Sequence, residues 1–224
     1  MLWRCTVTAV ALMLTSACIQ GRLPPRELYR LRVPPQPSDS ALQDGTTRVL
    51  IPGSIAILVY TAPGLYGDNG IVYRIDDSAY GAYANREWAL PVSVMLGMLT
   101  EDVLRAHPIS VERAVFDPPS PHGYTFIWRG IVRELEEVDR GTHVFASVRL
   151  DARLTRARDD SVLWSGTLRL ERPVPEGTMP AIVDALSRLA ADVISHLVDQ
   201  ARDAVAVPAA SAARERAPHA TLHR

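Results

Sequence analysis

Hydrophobic and polar residues alternate through the middle of the chain, and this alternation predicts β-strands. The clearest run is 144–154, in which every second side chain is apolar. One face carries Val144, Ala146, Val148, Leu150, Ala152 and Leu154, and the other carries His143, Ser147, Arg149, Asp151 and Arg153. A strand with one apolar face and one polar face is typical of an antiparallel sheet with one side in water.

Further strand-like segments lie on both sides of this run. They are 28–33, 48–62, 71–75, 109–116, 124–138 and 162–170. Most of them follow one another along the chain, separated by turn-forming residues such as Gly67-Asp68-Asn69-Gly70. The pattern therefore favours one sheet built largely from neighbouring strands.

Two segments have apolar residues at the three- and four-residue spacing of an amphipathic helix. The first is predicted to begin close to Trp88, because Pro91 fits a helix only within its first turn. Its apolar stripe consists of Trp88, Val92, Met95, Leu96, Leu99 and Val103. The second is predicted to begin after Thr178 as N-cap, with a stripe of Ile182, Leu186, Leu189, Val193 and Leu197.

Together these elements predict an α+β fold, in which a mostly antiparallel sheet is packed on one face by two main helices. Residues 28–200 form the predicted domain. The Ala-, Arg- and Pro-rich segment 201–224 is predicted to be a disordered tail.

The N-terminus has the three parts of a bacterial lipoprotein signal. Arg4 supplies a positive charge, 6–14 is apolar, and the small residues Ser16 and Ala17 precede Cys18. The pattern predicts a signal peptide over 1–17 with cleavage after Ala17, a lipid on Cys18, and a tether over 18–27. An ordinary cleaved signal peptide is the alternative, whereas a spanning helix would require about 20 apolar residues.

Charge and cysteine content narrow the functional classes. The 24 basic and 25 acidic residues give a formal net charge of −1, which offers no electrostatic footprint for nucleic acid. The two cysteines are Cys5, inside the signal, and Cys18. A mature chain acylated on Cys18 would have no free thiol, which excludes disulfides, thiol catalysis and cysteine metal sites.

The sequence contains no motif of a known catalytic or nucleotide-binding site. Its six histidines are scattered along the chain, and we interpret them as side chains that lie in water or have ordinary hydrogen-bond partners. The acidic pairs Asp76-Asp77 and Glu136-Glu137 are interpreted as exposed turn and strand-end residues. We therefore predict a protein that is not an enzyme, with no catalytic residue, no metal ligand and no cofactor.

A cluster of aromatic residues is the best candidate for recognition. It consists of Tyr66, Tyr73, Tyr80, Tyr83 and Trp88. Aromatic rings with polar tips are favoured at protein interfaces. The alternative is that several of these rings cap the core where a helix meets the sheet, and Trp88 is predicted to be a core residue.

Four short segments, in this order and spacing, carry a family resemblance. They are the lipoprotein signal followed by Tyr29-Arg30-Leu31, then Ile71-Val72-Tyr73-Arg74, then Arg86-Glu87-Trp88-Ala89-Leu90-Pro91, and finally the helix near Ile182-Val183-Asp184-Ala185-Leu186. With these segments the chain resembles the ABC-type transport auxiliary lipoproteins over about 28–200.

The resemblance implies an envelope lipoprotein that works with an Mce-family substrate-binding protein, an ABC permease and an ATPase to move phospholipids or other hydrophobic molecules. This chain would be the non-catalytic docking component, held to the membrane by its lipid. Ile19 after the anchor, rather than Asp, implies the periplasm-facing leaflet of the outer membrane. The candidate contact residues are Tyr73, Arg74, Tyr80, Tyr83 and Arg86.

Two other functions remain open from the sequence. The sheet and helices could part to enclose an acyl chain, which would make the protein a periplasmic lipid carrier. An envelope hydrolase is the third possibility, and it would need a catalytic site that the sequence does not reveal.

Overall fold

The computed structural model describes residues 25–32, 51–76 and 78–215, with 207–215 described by their backbone only. It contains one eight-stranded sheet and two α-helices. The strands are β1 (Glu27–Tyr29), β2 (Ile55–Ile57), β3 (Gly70–Ile75), β4 (Ala79–Trp88), β5 (Ala114–Phe116), β6 (Phe126–Arg140), β7 (His143–Arg156) and β8 (Val162–Pro173). The helices are α1 (Val92–Ala106) and α2 (Met179–Glu215), and 3₁₀ turns span Gly64–Gly67 and Pro121–Gly123.

Strand β6 is the central strand of the sheet, with partners on both of its edges. One of its edges pairs along its whole length with β7, which pairs in turn with β8, and both pairings are antiparallel. The other edge pairs in parallel with β2 and then with β3. Strand β5 lies outside β2, whereas β4 and β1 lie outside β3.

The predicted α+β class is confirmed, and the longest ladders are antiparallel. The sheet is nevertheless mixed, because β1–β4, β2–β5, β2–β6 and β3–β6 are parallel pairs. Parallel pairing requires a long crossover between the two strands. Alternation along a single strand carries no information about such distant partners, so the sequence pattern did not reveal these pairs.

Both helices contribute to the same hydrophobic core on one face of the sheet. The predicted apolar face of β7 is buried there, with Ala146, Val148, Leu150 and Leu154 fully covered. The stripe predicted for the second helix is buried as well, from Ile182 to Leu197. Each fully buried Leu, Ile or Val contributes about 1.5–3 kcal/mol, so this layer is the main source of stability.

The predicted start of the first helix is wrong. Trp88 is the last residue of β4, pairs with Tyr29 of β1, and donates its backbone N–H to Asn69 O at 2.6 Å. Helix α1 begins at Val92, with Pro91 as its N-cap residue. A proline disfavours helical geometry in the residue before it, which keeps Leu90 out of the helix, whereas Trp88 is held in the sheet by its pairing with β1. Trp88 is still a core residue, as predicted.

The predicted disordered tail is wrong over 201–215, because α2 continues through Glu215. Ala201 and Val205 extend the buried stripe of the helix beyond Leu197, so this part of α2 has a packing partner. Residues 216–224 lie outside the described residues. Neither of the helices described here has an apolar segment long enough to cross a bilayer.

Candidate functional site

All five predicted contact residues lie on the hairpin formed by β3 and β4. The turn of this hairpin begins at Asp76, which has a left-handed φ of 50°. Its backbone N–H donates to Asp139 O at 2.8 Å, which ties the turn to the end of β6. Neighbouring residues of a strand point to opposite faces, so the hairpin presents two different clusters.

The first cluster is a buried ion pair. Arg74 Nε lies 2.8 Å from Glu136 Oε1, and the Tyr66 hydroxyl donates to the other oxygen of the same carboxylate. Arg74 Nη1 also donates to Asp76 O at 2.8 Å. Burial alone would lower the pKa of Arg74, but the hydrogen bond to Glu136 and the charge of Glu136 have the larger combined effect. The net pKa of Arg74 is raised, so the guanidinium stays charged.

Tyr80 lies directly over this ion pair. The guanidinium carbon of Arg74 is 5.8 Å from the centre of the Tyr80 ring, within the range of a cation–π contact. Tyr80 itself is 56% exposed. The buried cation therefore lies beneath an aromatic ring that faces solvent.

The second cluster lies on the other side of β3. The Tyr83 hydroxyl donates to Glu137 Oε2 at 2.9 Å, and the Tyr73 and Tyr83 ring centres are 5.0 Å apart. The Arg86 guanidinium lies 4.9 Å from the centre of the Tyr83 ring. Burial, followed by the hydrogen bond to Glu137, raises the pKa of Tyr83.

A glycine allows the Tyr73 ring to cross the hairpin. Gly81 is the register partner of Tyr73 on β4. A Cβ at Gly81 would lie 2.5 Å from the Tyr73 hydroxyl oxygen, which no side chain could tolerate without moving the ring. The aromatic pair therefore depends on the absence of a side chain at this position.

The interpretation of Glu136 and Glu137 as exposed residues is wrong. Both are buried, with 0% and 4% of their surface exposed. Burial is the main cause that raises the pKa of Glu137. The signal that could have identified them is their position between Leu135 and Val138 in a segment that continues as strand to Arg140.

The structure thus divides the predicted contact residues by role. Arg74 is buried and held by Glu136, so it supports the site without forming its surface. Tyr80 is exposed, whereas Tyr73, Tyr83 and Arg86 are half-buried. Cys18 and Ala17 lie outside the described residues, so the predicted lipid attachment and cleavage stay predictions.

No group of acidic, histidine or cysteine side chains in the described part of the chain could hold a metal ion. The hairpin presents the exposed ring of Tyr80 on one face and the half-buried Tyr73–Tyr83 pair on the other, each next to a buried carboxylate. Such a surface can recognise a partner, since aromatic anchors bury a large area at a small entropic cost.

Comparison with protein families places most of the described fold in one group. Residues 29–198 match the family model described as the ABC-type transport auxiliary lipoprotein component. The match includes the β3–β4 hairpin and both helices as far as residue 198. No curated protein matches the chain.

Two solved structures share the fold. Protein XCC0632 from Xanthomonas campestris is similar with a TM-score of 0.63 and 20% identity, covering 82% of this chain and 98% of its own. An uncharacterised protein is similar with a TM-score of 0.60 and 15% identity, covering 79% of this chain and 99% of its own.

Proposed function

The chain belongs to the family of ABC-type transport auxiliary lipoproteins, and from this membership we propose that it is the non-catalytic docking component of an Mce-type transport system. It works with an Mce-family substrate-binding protein, an ABC permease and an ATPase that move phospholipids or other hydrophobic molecules. A lipid on Cys18 holds it on the periplasm-facing leaflet of the outer membrane. The family match over 29–198 is the observation that carries this proposal.

The position of β1 supports a docking site close to the membrane. Eight residues lie between Cys18 and Glu27, the first residue of β1, and this segment spans at most about 30 Å. Glu27 is the register partner of Arg86 on β4. The tether therefore enters the domain beside the strand that carries Tyr80, Tyr83 and Arg86.

The surface of the hairpin supports a protein partner. Tyr80 presents an exposed ring in contact with the buried Arg74, and Ile75 beside the turn is 46% exposed. An exposed aromatic side chain next to an apolar one is typical of a hot spot in a protein–protein interface. We assign the direct contact to Tyr80, whereas Tyr83 and Arg86 belong to the cluster on the other side of β3.

The packing of the core favours the docking function over the lipid carrier. Leu150 of β7 and Leu186, Leu189 and Val193 of α2 are all fully buried in one continuous core. Protein interiors are packed about as densely as organic crystals. An acyl chain could enter between the sheet and α2 only by displacing this core.

Affinity purification of the tagged full chain from its native bacterium tests the proposal. Membranes are solubilised in dodecyl maltoside, and co-purifying proteins are identified by mass spectrometry. We expect the Mce protein, the permease and the ATPase to be recovered. Recovery of none of them from extracts that contain all three contradicts the docking function.

Matched variants locate the contact and the anchor. Tyr80→Ser is expected to reduce recovery of the partners at least about tenfold, since a hot-spot residue contributes about 2 kcal/mol or more. Val162→Ser on β8 is the control, because Val162 is similarly exposed at 53% but belongs to a distant strand.

A separate variant tests the lipid anchor. Cys18→Ser is expected to release the protein from the membrane fraction, and its retention there would contradict lipid anchoring.

A further inference from the structure

A second surface, which includes no residue of the hairpin, has the features of a ligand site. It is a half-open groove of about 760 Å³ that runs across β6, β7 and β8 and the segment after β2. It lies on the face opposite the helices, which also carries Arg149 and Arg169. We call this side the open face.

Arginine side chains meet in rows on the open face. Arg149 on β7 is the register partner of Arg169 on β8 and of Glu134 on β6. Glu134 lies 2.8 Å from Arg169 and 4.0 Å from Arg149, and Arg169 also lies 3.6 Å from Glu171. Each arginine of this row therefore has a carboxylate within 4.0 Å.

The row inside the groove lacks such a carboxylate. Arg153 on β7 is the register partner of Arg129 on β6 and of Ser165 on β8. Directly opposed side chains have their Cβ atoms about 4.5–5.5 Å apart, and like charges in this position repel. Two arginines and a hydroxyl therefore converge with no acid in the row.

Arg153 is the cation that this row leaves uncompensated. Arg129 reaches Asp160 at 3.3 Å and Thr155 at 2.7 Å. Arg153 is exposed and has no hydrogen-bond or ion-pair partner among residues 25–32, 51–76 and 78–215. Its five donors point to a site for an anion with several acceptor oxygens.

Asp151, in the next row, does not compensate the charge of Arg153. Asp151 receives Arg133 Nε at 2.6 Å and the Thr167 hydroxyl at 2.8 Å. Partial burial raises the pKa of Asp151, but these hydrogen bonds and the arginine charges lower it overall. Asp151 is thus paired with Arg133, and Arg129 is paired with Asp160, so the excess positive charge at the groove is that of Arg153.

An apolar strip adjoins the arginines. Val59 is 41% exposed, and Leu58 and Ile131 are half-buried beside it in the groove wall. Exposed aliphatic side chains in a groove next to a cationic row suit a molecule with an anionic head and a hydrocarbon chain.

We propose that this groove binds an anionic amphiphile, with its phosphate or carboxylate head on Arg153 and Arg129 and its hydrocarbon chain along Val59 and Ile131. The head supplies the acceptor oxygens that Arg153 lacks, as Glu134 and Glu171 supply them to the arginines of the neighbouring row. The site does not depend on the proposed docking function, since its residues lie on β6, β7, β8 and the segment after β2, whereas the docking residues lie on β4. Each could fail without the other.

Photo-crosslinking of the full chain in dodecyl maltoside tests this site. The probe is lysophosphatidylglycerol with a diazirine in its acyl chain, and the labelled peptides are mapped by mass spectrometry. We expect labelling of the segments around Val59 and Ile131. Unlabelled lysophosphatidylglycerol should compete, whereas lysophosphatidylcholine of the same chain length and glycerophosphate should compete at least about tenfold less well.

Two arginine variants distinguish binding of the head group at this site from general electrostatic attraction to the open face. Arg153→Gln should weaken labelling at least about tenfold, because a hydrogen bond to a charged group is worth about 1.5–3 kcal/mol. Arg149→Gln on the same strand and face is the control, and it should leave labelling unchanged.

Three outcomes would overturn the proposal. Equal labelling of Arg153→Gln and the unaltered chain would remove the head-group site. Equal competition by lysophosphatidylcholine would mean an apolar groove without selection for an anionic head. Equal competition by glycerophosphate would mean a simple anion site without a place for the chain.

Discussion

Arg74 and Glu136 form an ion pair between the adjacent strands β3 and β6, in which Arg74 Nε lies 2.8 Å from Glu136 Oε1. Their side chains are only 5% and 0% exposed. A buried ion pair gains little over an apolar pair, but removal of one partner leaves an uncompensated charge. The pair therefore fixes the β3–β4 hairpin to the sheet and makes the hairpin sensitive to single substitutions.

Arg74→Met is expected to lower the free energy of unfolding by about 3–5 kcal/mol, because Glu136 stays buried without its cation. Urea unfolding of the full chain, followed by circular dichroism, measures this loss. The control is Arg105→Met, since Arg105 pairs with Asp102 on the exposed surface of α1. An exposed pair contributes about 0–1 kcal/mol.

The double variant Arg74→Met/Glu136→Gln tests the cause of that loss. The neutral amide removes the buried charge, so we expect the double variant to be more stable than Arg74→Met alone. A loss in Arg74→Met no larger than that in Arg105→Met would show that the ion pair does not hold the hairpin.

A second prediction concerns the hydroxyl of Tyr60. Thr100 donates its own hydroxyl to Leu96 O, so Tyr60 must donate to Thr100 Oγ1 at 2.8 Å, and it accepts from Trp128 Nε1 at 3.1 Å. Tyr60→Phe leaves the buried Trp128 N–H unpaired, which should cost about 1–3 kcal/mol. Thermal unfolding compares it with Tyr80→Phe, whose exposed position should make the change nearly neutral.

A third prediction concerns the glycine beneath the same tyrosine. A Cβ on Gly130 would lie 2.0 Å from Tyr60 Cε1, and the hydrogen bonds of Tyr60 prevent its ring from moving away. Gly130→Ala should cost about 1–3 kcal/mol by overpacking. Gly123→Ala is the control, because no atom lies within 4 Å of its Cβ position. Equal urea midpoints for the two variants would contradict this account.

A fourth prediction follows from the raised pKa of Glu137. Burial is the main cause of this shift from the ordinary value of 4.5. The folded state binds the proton more tightly than the unfolded state, so this group lowers stability as the pH rises from about 4.5 through its raised pKa. Glu137→Gln should remove that loss while keeping an acceptor for the Tyr83 hydroxyl.

Differential scanning calorimetry between pH 4 and pH 8 measures the effect. The Tm of Glu137→Gln minus that of the unaltered chain should increase with pH and then level off. Glu112→Gln, at an exposed position, corrects for the general loss of a carboxylate. A difference that stays constant over this pH range would mean that Glu137 titrates alike in both states.

The elements that could be predicted are those with a strong local period. The alternation along 144–154 gave the buried face of β7, and the stripe from Ile182 to Leu197 gave the buried face of α2. Each of these patterns depends only on residues within one element. The β3–β4 hairpin was predicted only in part, because Trp88 continued an apparent helical spacing although it ends a strand.

The candidate site illustrates the same division. The aromatic residues and arginines of the hairpin were identified from composition and from the family motif. The sequence pattern predicts a surface position for their partners Glu136 and Glu137, because two adjacent carboxylates normally remain in water. Only the pairing of β3 with β6 places Arg74 and Tyr83 beside them.

The sequence by itself determined the α+β class, the apolar faces of β7 and α2, and the family motifs, because these depend on residue order and local periodicity. The tertiary structure decided which carboxylates are buried, which strands run in parallel, and which arginines share a row on the open face. These properties arise from strand register between segments that are distant in the chain. Local periodicity orients a side chain, but only pairing across the sheet selects its partner.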